Sequence, residues 1–65
     1  MKEIRDYRNR KVGEYNPDSG QIISRFGKDS FNCVLTVGNE FIITHAGIST
    51  AIKRITNSDY IIYTK

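Results

Sequence analysis

Short runs of alternating apolar and polar residues, separated by turn-forming residues, make up most of the chain. The clearest turn is Asn16-Pro17-Asp18-Ser19-Gly20. Proline presets φ at the second position of such a turn, Asn and Asp side chains bond to their own backbone, and glycine accepts a positive φ. This turn predicts a hairpin that joins a strand over 11–15 to a strand over 21–26.

A second turn is predicted at 27–30, and a third strand follows over 31–37. Alternation along that strand places four apolar side chains on one face, namely Phe31, Cys33, Leu35 and Val37.

Gly38-Asn39 separates this third strand from a fourth over 40–45 and fits a two-residue hairpin loop. That loop would place Leu35 opposite Ile42. A loop one residue longer would place Leu35 opposite Ile43 and turn every side chain of the fourth strand to the other face. We favour the shorter loop because of its turn chemistry.

A helix is predicted next, near residues 49–56, because three isoleucines follow the spacing of one helix face: Ile48, Ile52 and Ile55. Ser49 or Thr50 would cap its first turn. Lys53 and Arg54 would lie near its end, where the helix dipole favours cations.

The final run, 60–63, is apolar on both faces, so we expect it inside the sheet or covered on both sides. Residues 1–9 are polar with weak periodicity, and a short strand, a helical turn and a loosely packed basic arm all fit them. The predicted core is Ile22, Phe26, Phe31, Leu35, Val37, Ile43, Ile52, Ile55 and Ile62.

Composition agrees with a mainly β fold. The chain has ten Ile, three Val and five Thr against one Leu and two Ala, so residues that suit strands far outnumber the best helix formers. The predicted fold class is therefore β-rich α+β. It is a single domain over 1–65, with a small antiparallel sheet or partly open barrel of four or five short strands and one short helix.

A domain of 65 residues has a marginal core. One cysteine cannot form an internal disulfide, and one histidine with one cysteine cannot complete a Cys/His zinc site. Oligomerisation is the remaining way to add stability. The charged first residues resemble no signal peptide and no apolar run is long enough to cross a membrane, so we expect a cytoplasmic protein without membrane contact.

The basic character lies at one end of the chain. Residues 1–11 contain five basic and two acidic side chains, which accounts for the whole net charge of +3. Basic groups beside an aromatic ring suit a nucleic acid backbone and its bases. The candidate nucleic acid-binding residues are Arg5, Tyr7, Arg8, Arg10, Lys11, Lys53 and Arg54.

Catalysis has little support in the sequence. Cys33 and His45 could in principle form a thiol–imidazole couple, but Cys33 belongs to an apolar strand face, where cysteine acts as a small hydrophobic residue. The carboxylates are scattered and mostly occupy turns. We expect no catalytic residue, no cofactor and no metal.

The favoured function is therefore a non-enzymatic module that acts through protein contacts, as a homo-oligomer or as an inhibitor or adaptor of a larger partner. Its candidate interface lies on the last strand, because tyrosines beside apolar residues suit an interface: Tyr60, Ile61 and Tyr63. The alternative is a small β domain that binds nucleic acid through its N-terminal basic segment.

Overall fold

The computed structural model describes the backbone of residues 1–26 and 29–65, and the side chains of all of these except 25, 26, 29 and 30. The described chain contains seven strands: β1 (Lys2–Arg5), β2 (Lys11–Tyr15), β3 (Gln21–Phe26), β4 (Asp29–Val34), β5 (Glu40–His45), β6 (Ile48–Arg54) and β7 (Tyr60–Thr64). They form two antiparallel sheets: sheet A in the order β1-β2-β3-β4 and sheet B in the order β5-β6-β7. The mainly β prediction is confirmed, and the sheets do not close into a barrel.

The first predicted hairpin is confirmed, with strands β2 and β3 on both sides of the turn. The Asn16 side chain accepts a hydrogen bond from the Asp18 backbone N–H at 2.9 Å. The Asn16 backbone N–H donates to the Gln21 carbonyl at 2.9 Å. Gly20 ends the turn with φ of 81°, a conformation that favours glycine.

The core lies between the inner faces of the two sheets and is built from Ile4, Val12, Ile22, Leu35, Ile43 and Ile52. Two ring pairs link the sheets at its margins, Tyr15 with Tyr60 and Phe31 with Phe41, each with centroids 4.9 Å apart. These contacts join β2 to β7 and β4 to β5.

Four predicted core residues are confirmed as buried: Ile22, Leu35, Ile43 and Ile52. Four others are exposed, so their prediction was wrong: Phe31, Val37, Ile55 and Ile62. The prediction missed Ile4, Val12 and Ala51, which are buried. The side chain of Phe26 lies outside the described residues.

The predicted helix near 49–56 is wrong, because this segment is strand β6 (Ile48–Arg54). Residues four apart lie on the same face of a strand, which has a period of two residues, and also on the same face of a helix, where they are about one turn apart. Ile48 and Ile52 therefore share the inner face of a strand equally well. The segment is a strand because it pairs with β5 on one side and with β7 on the other. Ile55 lies beyond the end of this strand.

The predicted Gly38-Asn39 hairpin is also wrong in both registers, because β4 and β5 belong to different sheets. Strand β4 ends at Val34, and the chain then crosses from sheet A to sheet B. The Leu35 N–H donates to the Gly20 carbonyl at 2.7 Å, and the Gly38 N–H donates to the Arg54 carbonyl at 2.8 Å. The crossing segment is therefore bonded to other parts of the chain. Of the second predicted turn, residues 27 and 28 lie outside the described residues, and Asp29 and Ser30 belong to β4.

Strand β7 is not inside the sheet as predicted but forms one edge of sheet B, paired on one side only. Its side chains from Ile61 to Thr64 are exposed. Residues 1–9 contain strand β1, which forms an edge of sheet A. It pairs with β2, and the register of this pairing shifts between Ile4 and Arg5.

Candidate functional site

The outer face of sheet B carries a group of apolar side chains, which we call the apolar patch: Ile42, Ala51, Ile61 and Tyr63. Ile42 lies opposite Ala51, and Ala51 lies opposite Tyr63, so these three cross the sheet in one row. Ile61 lies opposite Lys53 in the next row. The register thus places side chains from all three strands beside one another.

The patch is open to solvent. Ile42 is 44% exposed, Ile61 48% and Tyr63 37%. Ala51 at its centre is fully buried. Lys65, which follows β7, reaches across sheet B to Glu40 on β5. The Lys65 Nζ atom lies 2.6 Å from Glu40 Oε1 and 6.0 Å from the centre of the Tyr63 ring.

The three candidate interface residues therefore have different environments. Ile61 and Tyr63 belong to the apolar patch, whereas Tyr60 faces the interior. The Tyr60 ring packs on Tyr15, and its hydroxyl donates to the Pro17 carbonyl at 3.0 Å. Tyr60 joins the sheets, while the two other residues face solvent.

Arg54, a candidate nucleic acid-binding residue, is only 8% exposed and lies at the centre of a hydrogen-bond network. Its guanidinium donates to four backbone carbonyls: Leu35 at 2.9 Å, Asn57 at 2.7 Å, Asp18 at 3.2 Å and Ser19 at 3.3 Å. It also lies 5.5 Å from the centre of the Tyr60 ring. Arg54 thereby links three loops, those before β3, before β5 and before β7.

Acidic neighbours accompany most basic side chains of the first segment. Arg5 forms an ion pair with Glu3 at 2.6 Å, and Lys11 forms one with Glu14 at 3.1 Å. Arg10 pairs with Asp6 at 3.1 Å. Most of the positive charge in this segment is therefore balanced locally.

Asp6 is a buried carboxylate that fixes the turn between β1 and β2. Its Oδ1 atom accepts hydrogen bonds from the backbone N–H groups of Arg8 and Arg10, both at 2.9 Å. The Arg10 N–H contributes most to lowering the pKa of Asp6 below its ordinary value, against the opposing effect of burial. Asp6 is thus charged at neutral pH and offsets one of the arginines.

Tyr7 and Arg8 lie together on that turn. Tyr7 is exposed, and the Arg8 guanidinium lies 5.6 Å from the centre of its ring. Lys53 lies far along the chain on the outer face of sheet B, opposite Glu40 and Ile61. Of the seven candidate nucleic acid-binding residues, this exposed Tyr7–Arg8 pair has the geometry closest to a stacking contact.

Cys33 and His45 lie on different sheets, in β4 and β5 respectively. Cys33 faces inward opposite Ile22. Burial raises the pKa of its thiol, which disfavours the thiolate that a nucleophile requires.

Other features of the described residues give no further candidate. A depression of about 300 Å³ is lined by residues of sheet A, namely Lys11, Val12, Gly13, Glu14 and Ile23. Within residues 1–26 and 29–65, no three His, Cys, Asp or Glu side chains converge as metal ligands. Over the same residues, no helix has the length and apolarity needed to cross a membrane.

No protein-family model, curated protein or solved structure matches the chain. Fold and surface together define a small domain of two antiparallel sheets, one of which has an exposed apolar outer face. Sequence reasoning placed Ile61 and Tyr63 at a candidate interface but missed Ile42 and Ala51. The available signal was the pair Ile42-Ile43, which gives β5 an apolar residue on each face.

Proposed function

We propose that this chain is a non-enzymatic binding module that acts through protein contacts, by self-association or as an inhibitor or adaptor docked on a larger partner. The apolar patch is the observation that carries this proposal. Contiguous apolar groups on a protein surface commonly mark interaction sites, and tyrosine is enriched at interfaces because its ring is apolar and its hydroxyl polar.

The outer face of sheet A provides the contrast. There Lys11 pairs with Glu14, and the Gln21 side chain, opposite the exposed Val34, donates to Asn32 at 3.1 Å. Polar side chains that satisfy one another are what a solvated sheet face requires. The same argument applied to sheet B favours a partner over the apolar patch.

Self-association is the first form of the proposal to test, because identical chains most often bury such a surface in a closed symmetric dimer. Light scattering of the wild-type chain from low to high micromolar concentration should show a mass that rises with concentration. Ile61→Lys and Tyr63→Lys should each stay folded, because both side chains face solvent, and should shift the mass to that of a monomer.

Val34→Lys is the matched control. Val34 is 64% exposed and lies outside the apolar patch, on β4, and the substitution adds the same charge. It should leave self-association unchanged. A wild-type chain that stays monomeric at high micromolar concentration would overturn self-association and leave docking on a different protein as the proposal.

The alternative function, nucleic acid binding, is supported by the exposed Tyr7–Arg8 pair. If Arg5, Arg8, Arg10 and Lys11 each neutralised a phosphate, log affinity would fall against log salt with a slope of about −3 to −4. Titration of a fluorescent oligonucleotide at low salt, with wild-type chain and with all four residues replaced by Gln, tests this. Tight binding that the four substitutions abolish would favour this alternative over protein contacts.

A further inference from the structure

We infer that two copies of this chain pair through the open edge of β7, antiparallel and with Ile62 opposite Ile62, so that two copies of sheet B become one continuous sheet. This inference rests on the proposed function, and it specifies the partner, the strand and the register. Four observations support it: the direction of the backbone groups, the composition of the edges, the pairing of side chains and the position of the apolar patch.

The direction of the backbone groups follows from the pairing of β6 with β7. The Lys65 N–H donates to the Ser49 carbonyl at 2.9 Å. Bonded and non-bonded residue pairs alternate along an antiparallel ladder, so Ile61 and Tyr63 also direct their backbone groups towards β6. The N–H and C=O groups of Tyr60, Ile62 and Thr64 therefore point to the open edge.

The four edge strands of the described sheets differ in composition. Natural proteins protect sheet edges with charged residues and bulges. Strand β1 contains Lys2, Glu3 and Arg5 and a register shift, β4 contains Asp29, and β5 contains Glu40. Strand β7 reads Tyr-Ile-Ile-Tyr-Thr and has no charged residue within its bounds. It is the edge with the least protection against an added strand.

The open-edge groups also fix the register. The residues whose backbone groups point to the open edge, Tyr60, Ile62 and Thr64, must lie opposite the same set in the other copy. The apolar patches of both copies then lie on the same side of the joined sheet. With Ile62 opposite Ile62, Tyr60 of each copy lies opposite Thr64 of the other. All three open-edge residues then exchange hydrogen bonds, about six in total, since each bonded pair exchanges two. A shift by two residues in either direction would lose a bonded pair.

The side chains are complementary in this register. On the outer side, Ile61 of each copy lies opposite Tyr63 of the other, an aromatic pair with a β-branched residue that stabilises neighbouring strands. Asp59 lies opposite Lys65 of the other copy, so opposite charges meet at both ends. Lys65 now contacts Glu40 in its own chain, but that ion pair is exposed and its exchange costs little.

Edge pairing also brings Ile61 and Tyr63 of both copies into contact at the centre, so it covers part of each apolar patch and leaves Ile42 on the far strand open. Pairing of two short strands is a small contact, and interfaces below roughly 1,200 Å² belong to weak or transient complexes. We therefore expect a dimer that dissociates on dilution.

Single cysteines test the register. In a Cys33→Ser background, Ile62→Cys should form a covalent dimer under mild oxidation, because Cα atoms in a bonded antiparallel pair lie about 5.5 Å apart, within the range of a disulfide. Ile61→Cys and Tyr63→Cys are matched controls. Each would lie two residues away from its own counterpart, beyond the roughly 7 Å limit for a disulfide, and should give no covalent dimer.

A proline tests the open edge. Ile62→Pro removes an N–H that points to the open edge and spares the bonds to β6, so the chain should stay folded by circular dichroism and lose self-association. Ile61→Pro removes an N–H directed at β6 and should instead disrupt the fold.

The outcomes separate this inference from the proposed function. Cross-linking of Ile61→Cys or Tyr63→Cys in preference to Ile62→Cys would overturn the register. Self-association by light scattering without cross-linking at any of the three positions would overturn edge pairing and leave the proposed protein contacts standing. Ile62→Cys cross-linking supports the inference even if Ile62→Pro fails to fold.

Discussion

Arg54 and Tyr63 lie on neighbouring strands of the same three-stranded sheet but face opposite sides of it. On the inner side, the Arg54 guanidinium is surrounded by four backbone carbonyls and the Tyr60 ring. On the outer side, Tyr63 is 37% exposed and has the Lys65 ammonium near its ring. A charged residue is inside, and an apolar surface is outside.

This contrast shows that, in this domain, the position of a residue in the tertiary structure determines its burial more than its residue type does. The inner side of sheet B contributes stability, because Ile43 and Ile52 pack in the core and the Arg54 Nη1 and Nη2 atoms donate to carbonyls of the chain itself. Thr50 Oγ1 and Arg54 Nε have no partner among the described residues. The outer side is the side available to a partner, because the chain provides little to cover it. Substitutions on the two sides should therefore affect different measurements.

The largest expected difference in the free energy of unfolding is between substitutions at two adjacent isoleucines of β5. Ile43 is buried in the core, and Ile42 belongs to the apolar patch. Ile43→Ala should lower the free energy of unfolding by about 2–5 kcal/mol, the cost of a core truncation. Ile42→Ala should lower it by about 0.5–1 kcal/mol, because a half-exposed side chain loses little burial. Urea unfolding at low micromolar concentration measures both.

Self-association should respond to neither substitution. Both side chains lie on β5, at the edge of sheet B opposite the paired edge of β7, so Ile42→Ala and any Ile43→Ala protein that remains folded should retain it. Equal losses of stability from the two substitutions would contradict the assignment of inner and outer faces.

A somewhat smaller effect is expected from Arg54→Met, which keeps much of the side-chain volume and removes the guanidinium. The buried Leu35 carbonyl would lose its donor, whereas water can reach the carbonyls on the exposed turns. Hydrogen bonds from a charged donor contribute about 1.5–3 kcal/mol each, so we expect a loss of about 2–4 kcal/mol in the free energy of unfolding. Arg54→Lys is the control for charge.

Lysine cannot reproduce the planar, multiple donation of the guanidinium, so Arg54→Lys should recover part of the loss only. Full recovery would show that the charge, and not the fork of donors, is what the three loops require. Unchanged unfolding of Arg54→Met would show that the network adds nothing to stability.

The smallest effect expected on the inner side comes from Gly20, next to the same network. A methyl group there would collide with the Leu35 carbonyl and lie 2.5 Å from Arg54 Nη1. Gly38 has a similar φ, 88° against 81°, but has open space around it. Both Ala substitutions cost about 1–2 kcal/mol of backbone strain, and Gly20→Ala should cost more because of the collision. Melting temperatures of the two variants give the difference, and equal values would refute the close packing.

Much of the local structure could be predicted from the sequence. The turn at 16–20 fixes its hairpin because proline, asparagine and glycine occupy the positions that this turn needs. Strand β5 and the start of β7 were also expected at the residues where they occur. These predictions depend on local chemistry, which the sequence contains in full.

The candidate site was predictable only in part. Tyr60, Ile61 and Tyr63 stood out because β7 is apolar on both faces, but alternation alone cannot say which face is covered. Ile48 and Ile52 fit a helix pattern and a strand pattern at once, since a four-residue spacing fits both periods. Neighbouring strands, which are distant in sequence, made that choice.

The sequence by itself determined a mainly β chain, a hairpin at Asn16–Gly20 and the absence of an internal disulfide. Residue type, turn chemistry and the single cysteine are sufficient for these. Only the tertiary structure decided that β4 and β5 separate into two sheets, that Arg54 is buried and that Ile42 and Tyr63 share an exposed face. Each of these depends on contacts between segments far apart in the chain, and no local pattern encodes which segments will meet.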